Sequence, residues 1–276
     1  MWGGDFSIRL PKSERPLKPS GIAISAIFLN EGRYLDEWIA FHRVVGVDHF
    51  FLYDNGSSDR GCEVLSGYIR RGFVTIIPWR TFAARLDIQK AAYAHCVVNF
   101  GSAFEWLAFV DIDEFVVPTA GNSLKEVLAS FPKMAALYAP RVEFGHSDQS
   151  VSPDGLLMEI YTSRYAGDRL ATQRKTIARP SMIRIPEIHK SVVDGDTIAP
   201  PETGPLRINH YFSKSSADFA AKLERGWRNG KPSKKIRLKH SRYTEINRQT
   251  CRDGLIGRFI PAVRSFLAEQ TEPSKG

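Results

Sequence analysis

The sequence lacks the cysteine patterns that build disulfide frameworks or zinc sites. Its three cysteines, Cys62, Cys96 and Cys251, lie far apart and form no Cys-x-x-Cys pair. No apolar run approaches the roughly 18 residues of a membrane-spanning helix. The first 20 residues contain no apolar segment of the kind found in signal peptides. We therefore expect a cytoplasmic protein in a reducing compartment.

The glycine-rich phosphate loops of two common nucleotide folds are also missing. There is no Gly-x-Gly-x-x-Gly and no Gly-x-x-x-x-Gly-Lys, so neither a dinucleotide-binding fold nor a P-loop is supported. With 276 residues, 43% hydrophobic and 25% charged, the composition is that of an ordinary globular protein. We predict a loose tail over residues 1–20 and a single domain over 21–276.

Acidic residues are scarce in the last quarter of the chain. The net charge is +8, and residues 206–276 carry 16 Lys and Arg against 6 Asp and Glu. The excess is densest over 228–242, where seven Lys and Arg occur without an acid. Such a run is either a solvated surface or a site for an anionic partner, for example a nucleotide diphosphate, an acidic lipid surface or nucleic acid.

Apolar runs alternate with helical patterns in the first half of the chain. The predicted strands cover 22–29, 47–53, 73–77 and 106–110, and a turn over 111–114 is predicted to follow the last of them. The first helical pattern has an apolar stripe formed by Leu35, Trp38, Ile39 and His42. This rhythm is typical of a mainly parallel sheet covered by helices on both faces. The second half is less regular, with strands predicted over 136–144, 156–165 and 206–212 and helices capped by Ser123 and Ser215.

The sharpest feature is an apolar run that ends in three acids. Residues 106–110 are all apolar, and Asp111, Asp113 and Glu114 follow within four positions. In an extended chain Asp111 and Asp113 point to one side, while Ile112 turns back to the core. Two such oxygen ligands suit Mg²⁺ or Mn²⁺ bound to a phosphate. The alternative is a strand end whose acids cap a turn or pair with arginine.

Polar side chains also follow two other predicted strands. Asn30 and Glu31 follow the first strand, and Asp54 and Asn55 follow the second. The carboxyl ends of parallel strands meet at one edge of a sheet, which is where open α/β sheets bind ligands. We predict that these four residues and Asp111 contact a nucleotide.

The segments around residues 26–31, 51–59 and 109–115 resemble the nucleotide-binding half of GT-A glycosyltransferases. The finer pattern resembles family 92 glycosyltransferases within the family 2-like group, over about 22–227. The further segments that carry this resemblance are Glu37-Trp38 with His42, Gln89, Phe144-Gly145, residues 175–180 leading to His189, residues 209–215, Phe219 and Lys222.

This resemblance implies an inverting, metal-dependent transferase. Its donor would be a nucleotide sugar, a UDP-hexose, and its acceptor a glycan, a lipid-linked sugar or another hydroxyl compound. By position, Asp54 corresponds to the residue that meets the base, Asp111 to the one near the ribose and Asp113 to the direct ligand of Mn²⁺ or Mg²⁺. The chain departs from the family pattern at 146–148, where it has His-Ser-Asp.

Inversion requires a carboxylate that acts as general base on the acceptor hydroxyl. Glu143, Asp148 and Glu159 follow the metal motif, and we favour Asp148 and then Glu159. His210 is predicted to complete the metal shell, and Lys214 to meet a phosphate.

Several assignments stay open from the sequence alone. His189 is the alternative to His210, and Lys190 the alternative to Lys214. His42, on an apolar stripe, is predicted to be a hydrogen-bonded core residue.

Two other functions compete with sugar transfer. A sugar-phosphate nucleotidyltransferase has a similar sheet and metal pair, but the loop at 30–33 is too short for the glycine-rich loop of those enzymes. A nucleic-acid-binding protein would use the basic residues 228–242. This segment contains no aromatic residue on which a base could stack, and the first one after it is Tyr243, so we expect no nucleic acid partner. We predict instead that 228–242 forms a mobile flap beside the site, and leave open a peripheral contact with anionic membranes.

Overall fold

The first half of the chain alternates strands and helices, as the apolar rhythm predicts. The computed structural model describes residues 8, 10, 19–80, 87–167, 173–225 and 234–271. The elements of the first half are β1 (Ile22–Phe28), α1 (Gly32–Val44), β2 (His49–Asp54), α2 (Gly61–Arg70), β3 (Val74–Pro78), α3 (Ile88–Phe100), β4 (Trp106–Phe109) and β5 (Glu114–Pro118).

The second half contains shorter strands and three longer helices. Its elements are α4 (Leu124–Ala129), β6 (Ala136–Glu143), α5 (Leu157–Ile160), β7 (Ser163–Tyr165), β8 (Arg174–Ala178), β9 (Ile183–Ile185), β10 (Val192–Val193), β11 (Thr197–Ile198), β12 (Leu206–His210), α6 (Ser216–Arg225), α7 (Lys234–Arg248), β13 (Thr250–Arg252) and α8 (Ile260–Thr271). None of the helices in the described ranges is both long and apolar enough to cross a membrane.

Within the described residues, nine strands form one central sheet. Its order is β3-β2-β1-β4-β8-β6-β12-β5, and β11 also pairs with β6. Strands β3, β2, β1 and β4 are parallel, β8 is antiparallel to both of its neighbours, and β12 is parallel to β6 and antiparallel to β5. The predicted α/β fold class with a mainly parallel sheet is confirmed.

The connection between β4 and β5 forces the sheet to curl. Three strands lie between β4 and β5 in the sheet order, yet only residues 110–113 join them. Four steps of about 4.8 Å would place β5 roughly 19 Å from β4 in a flat sheet. Five residue steps reach at most about 18 Å when fully extended, and the backbone N–H of Glu114 donates to the carbonyl of Asp111 in a turn. The sheet therefore bends around this turn.

One predicted strand is confirmed and another is wrong. The apolar run 106–110 contains β4, and Asp111 and Asp113 lie in the predicted turn after it, which leads the chain to the far edge of the sheet. Ile112 is fully buried, as predicted. Residues 156–165 are not a strand: they contain the short helix α5 and then β7. The Glu37 carboxylate, on α1, accepts hydrogen bonds from the backbone N–H groups of residues 157 and 158, which satisfies the start of α5 from a distant element.

The basic segment also differs from its prediction. Residues 226–233, which include the start of the predicted flap, lie outside the described residues. Lys234 to Arg242 belong to helix α7, which continues to Arg248. The part of the segment that the structure describes is therefore helical.

The apolar stripe of α1 packs into the main core, as predicted. Leu35, Trp38, Ile39 and His42 are all fully buried. Nδ1 of His42 lies 2.8 Å from the Trp38 carbonyl, and Nε2 accepts a hydrogen bond of 3.1 Å from the backbone N–H of Val116. His42 is thus a hydrogen-bonded core residue held in the neutral form.

The burial of His42 predicts that the stability of the protein falls in acid. Burial lowers the pKa of His42 to about 3 against an ordinary value of 6.5, although the hydrogen bond to Trp38 opposes the shift. As the pH falls, His42 is protonated in the unfolded chain before it is protonated in the folded protein. The contribution of neutral His42 to the free energy of unfolding is therefore present above pH 6.5 and is lost as the pH falls towards 3. Between pH 7 and 5 this group should cost about 2 kcal/mol of unfolding free energy.

Urea denaturation at the two pH values measures this loss. The His42→Gln variant should lack it, whereas His240→Gln, which changes an exposed histidine on α7, should behave as the wild type. The same pH dependence in wild type and His42→Gln would contradict the assignment.

Candidate active site

A large cavity lies at the carboxyl edge of the parallel strands. Its volume is about 1010 Å³, enough for a ligand the size of a nucleotide sugar. The residues that border it from the strand ends and the turn are Glu31, Asn55, Asp111 and Asp113. The second half of the chain contributes His210, Lys222 and one side of α7.

Asp113 and His210 lie next to each other in the wall of this cavity. Nε2 of His210 lies 3.5 Å from Oδ1 of Asp113, and Nδ1 lies 2.7 Å from a carboxylate oxygen of the buried Glu143. The ammonium group of Lys222 donates to Oδ2 of Asp113 at 2.7 Å. His210 is the last residue of β12, which pairs with both β5 and β6. This pairing brings His210 next to Asp113, which precedes β5, and Glu143, which ends β6.

The charges around Asp113 hold it in the ionised form. Burial alone would raise the pKa of its carboxyl, but Lys222 and His210 bring that pKa well below the ordinary value. Burial would lower the pKa of His210, yet the neighbouring Glu143 and Asp113 carboxylates raise it. Burial likewise opposes the ionisation of Glu143, and His210 and two arginines overcome it, so the pKa of Glu143 is lowered.

Asp111 is fixed by a different pair of side chains. The ammonium of the fully buried Lys175 lies 2.9 Å from Oδ2 of Asp111 and 2.9 Å from Glu114, while Gln89 donates to Oδ1 at 2.7 Å. Burial would lower the pKa of Lys175, but Asp111 and Glu114 raise it, so this lysine is charged. Both Asp111 oxygens therefore have protein partners.

Two arginines bind Glu143, the carboxylate beside His210. Arg141 pairs with Glu114 at 3.2 Å and with Glu143 at 2.8 Å, and it is almost fully buried. Arg242, on α7, donates to the same Glu143 at 2.6 Å. The end of the basic segment is thus part of the candidate site, whereas we had predicted that the whole segment lies beside the site.

The structure gives Asn30 and Asp54 a role in building the loops. The Asn30 side chain accepts from the backbone N–H of Ser58, and the backbone N–H of Asn30 donates to Ser57. Asp54 accepts from the backbone N–H groups of residues 56 and 57. These bonds tie the loops after β1 and β2 together. Neither residue borders the cavity, so their predicted contacts with a nucleotide stay untested.

Neither carboxylate favoured as the general base borders the cavity. Asp148 lies exposed in a loop with φ of 60°. Glu159, on α5, forms an ion pair of 2.6 Å with Arg264 of α8. The third candidate, Glu143, is close to the site but is held by His210 and the two arginines.

Lys214 and His189 lie beside the cavity wall. Lys214 is buried, with its ammonium 3.8 Å from the centre of the Tyr34 ring, and burial lowers its pKa despite the nearby Asp113 and Glu31. Burial, with the positive charge of Lys175, lowers the pKa of His189 to about 4. His210, and not His189, is the histidine next to Asp113.

Residues of the first helix join the two halves of the site. Glu37 holds the start of α5, as described above, and burial raises its pKa to about 7 although the two N–H groups oppose the shift. The indole N–H of Trp38 donates to the carbonyl of Glu114 at 2.9 Å, directly after the Asp111–Asp113 turn. The predicted Glu37-Trp38 pattern is therefore a structural support for the site.

The site offers suitable ligands for a divalent cation. Within the described ranges no group of three or more His, Cys, Asp or Glu side chains is placed to hold a metal. Asp113 and His210 still provide an oxygen and a nitrogen of the kind that Mn²⁺ accepts. When Nδ1 donates its proton to Glu143, Nε2 keeps its lone pair, which is the usual arrangement of a metal-binding histidine. The two residues fit a cation whose other ligands come from a diphosphate and water.

Comparison with known proteins decides the family of this chain. The model of glycosyltransferase family 92 matches residues 18–253. The chain belongs to glycosyltransferase family 92. The resemblance carried by the sequence segments is thereby confirmed.

Relatives within family 92 are longer than this chain. A family 92 protein of Oryza sativa subsp. japonica is 30% identical over 205 residues, which cover 70% of this chain and 33% of that protein. This chain spans about a third of the length of such curated relatives. The galactan beta-1,4-galactosyltransferase GALS2 of Arabidopsis thaliana is 33% identical over 100 residues, or 34% of this chain and 19% of that protein.

A solved structure shows a distant likeness. It is the mannosyltransferase PcManGT from Pyrobaculum calidifontis in complex with GDP-Man and Mn²⁺, with a TM-score of 0.41 and 12% identity. The match covers 93% of this chain and 76% of that one.

Sequence reasoning assigned no role to several residues of the site. Lys175 and Lys222 belong to the segments that carry the family resemblance. Their place in that pattern was the one sequence signal that could have indicated a role in the site. Arg242 lies in the basic run, whose charge signalled an anionic partner. Arg141 lies two residues before Glu143 on β6, but its ion pair with Glu114 on β5 has no sequence signal.

The buried Lys175 predicts a large effect on stability. Lys175→Met leaves the Asp111 and Glu114 carboxylates without their shared cation, and an uncompensated buried charge costs about 3–5 kcal/mol. The control is Lys125→Met, which breaks the exposed ion pair with Asp48 and should cost less than about 1 kcal/mol. Urea denaturation at pH 7 compares the two variants, and equal losses would contradict the role of Lys175.

Proposed function

We propose that this chain is a metal-dependent, inverting glycosyltransferase. It would move a hexose from a nucleotide sugar to a hydroxyl of a glycan or lipid-linked acceptor. The observation that carries the proposal is the meeting of Asp113, His210 and Lys222 in one cavity at the carboxyl edge of parallel strands. Family membership restricts the transferred group to a sugar.

The strands that border the cavity suggest how the donor lies. Glu31 and Asn55 follow the neighbouring strands β1 and β2, and Asp111, which accepts from Gln89, follows β4 on the other side of β1. Asp111 keeps about a third of its side chain exposed (33%) although both oxygens are paired, so it can still accept from a ribose hydroxyl. We place the nucleoside here. A uridine nucleotide follows from the family resemblance, and the similarity to a galactosyltransferase makes UDP-galactose the first donor to test.

Positive charge gathers where the diphosphate would lie. As the bond from the anomeric carbon breaks, the leaving diphosphate gains negative charge, and cations placed in advance stabilise it. Lys222 borders the cavity, and the buried Lys214 interacts electrostatically with Asp113 and Glu31 of the cavity wall. A divalent cation held by Asp113 and His210 would act on the same oxygens as a Lewis acid.

Other parts of the sequence reading stay predictions. These are the single domain over 21–276, the cytoplasmic location and a peripheral contact with anionic membranes. The assignment of Asp148 or Glu159 as base gains no support from their positions.

Substitution of the two aspartates tests the proposed donor site. Asp113→Ala should lower the affinity for UDP in the presence of Mn²⁺ by at least about 100-fold, because it removes a direct ligand. Asp111→Asn should weaken binding less, since it alters a contact to ribose. Isothermal titration with UDP and Mn²⁺, repeated with EDTA, measures both. Asp194→Ala, on the surface, is the control. Unchanged affinity in a folded Asp113→Ala protein would refute the assignment.

The hydrogen bond from His210 to Glu143 generates a second test. Glu143→Gln removes the negative charge that orients the imidazole, so the affinity for Mn²⁺ should fall about 10- to 100-fold. Electron paramagnetic resonance of Mn²⁺ in the presence of UDP measures this affinity directly. Glu269→Gln, an exposed change on α8, should have no effect. If the folded Glu143→Gln protein binds Mn²⁺ as tightly as the wild type, Glu143 does not support the metal ligand.

A further inference from the structure

Helix α7 turns one side to the cavity of the candidate active site. Leu238, Arg242 and Glu245 border the cavity, and their spacing of four and three residues puts them on the same side of the helix. The helix contains six Lys and Arg residues and a single acid, Glu245. The one carboxylate of this basic helix therefore lies on the side that borders the cavity.

Glu245 differs from the other acids of the cavity in its partners. Among the described residues, the remaining acids of the wall are Glu31, Asp111 and Asp113. Asp111 and Asp113 each accept from a lysine ammonium, and Glu31 lies in the field of two lysines. Glu245 accepts one hydrogen bond of 2.9 Å from the hydroxyl of Tyr165 and forms no ion pair within the described ranges. One of its oxygens is therefore available to a ligand.

Glu245 borders the same cavity as the residues assigned to the donor. Asn55 and Gln89 are assigned to the nucleoside, and Asp113 and Lys222 to the diphosphate. The side of α7 that borders the cavity has no part in these assignments, so it is available to the sugar and the acceptor. From this arrangement we infer that Glu245 is the catalytic base that activates the acceptor hydroxyl. The inference rests on the proposed function.

In the proposed reaction every bond formed is matched by a bond broken, and the proton has an acceptor. The acceptor hydroxyl gives its proton to the Glu245 carboxylate as its oxygen forms a bond to the anomeric carbon of the donor. The bond from that carbon to the diphosphate oxygen breaks on the opposite face, and its electron pair leaves with the diphosphate. The configuration at the anomeric carbon is inverted. Base catalysis of this kind contributes about 10²- to 10⁴-fold to the rate.

Azide provides a test that separates a base from a residue that only holds the sugar. Azide attacks as an anion, so it needs no proton removed, whereas water and sugar hydroxyls do. The assay follows UDP release from UDP-galactose with Mn²⁺ in the wild type, Glu245→Ala and Glu245→Gln. The nucleophiles are water, a β-1,4-linked galacto-oligosaccharide and sodium azide. Glu224→Gln, an exposed change on α6, is the matched control.

A base at Glu245 predicts a specific combination of results. Turnover with water or oligosaccharide should fall by about 10²-fold or more in both Glu245 variants, while the affinity for UDP with Mn²⁺ stays as in the wild type. Azide should restore UDP release in Glu245→Ala and yield a glycosyl azide of inverted configuration.

Other outcomes overturn the inference. Wild-type turnover in Glu245→Gln, or a loss that azide does not restore, excludes Glu245 as the base and leaves the donor site intact. A wild-type protein that neither binds UDP with Mn²⁺ nor releases the nucleoside diphosphate from any nucleotide sugar would overturn the proposed function, and this inference with it.

Discussion

The candidate site depends on a buried series of alternating charges beneath the turn between β4 and β5. Along the series the residues are Asp111, Lys175, Glu114, Arg141, Glu143, His210 and Asp113. An ion inside a protein must have a partner of opposite charge, so no member can move without exposing its neighbours to a large cost. The series therefore fixes the two aspartates relative to each other. It also makes the second half of the chain, on strands β6, β8 and β12, part of the candidate site.

Periodicity and local chemistry were enough to predict much of the fold. The apolar runs and stripes of the first half are set by short-range patterns, and each corresponds to an observed strand or helix. The acids after residue 110 follow an apolar run directly, and because charged side chains are costly inside a sheet, they were predicted to lie at its edge. The family pattern then indicated Asp113 and His210 as candidate metal ligands. These two residues meet because β12 lies next to β5, a pairing that the sequence pattern itself does not contain.

Long-range partners account for what the sequence could not predict. Residue 157 begins a helix because a carboxylate 120 positions earlier accepts its N–H, and no local signal reveals that bond. The Asn30 side chain accepts from the backbone N–H of Ser58, 28 positions later, and no local signal reveals that bond either. Arg242 donates to Glu143, 99 positions earlier in the chain. The basic segment 228–242, predicted to be a mobile flap beside the site, therefore contains a residue of the candidate site.

The placement of β5 has a consequence for how the protein folds during synthesis. Strand β5 emerges from the ribosome directly after β4, but its partner β12 is made only after most of the second half. Until then the apolar Phe115, Val116 and Val117 have no strand beside them, and an unpaired apolar strand is prone to aggregate. Pairing that closes such a long loop is slow. The first four strands can assemble early, whereas the half of the site that contains Asp113 and His210 forms last.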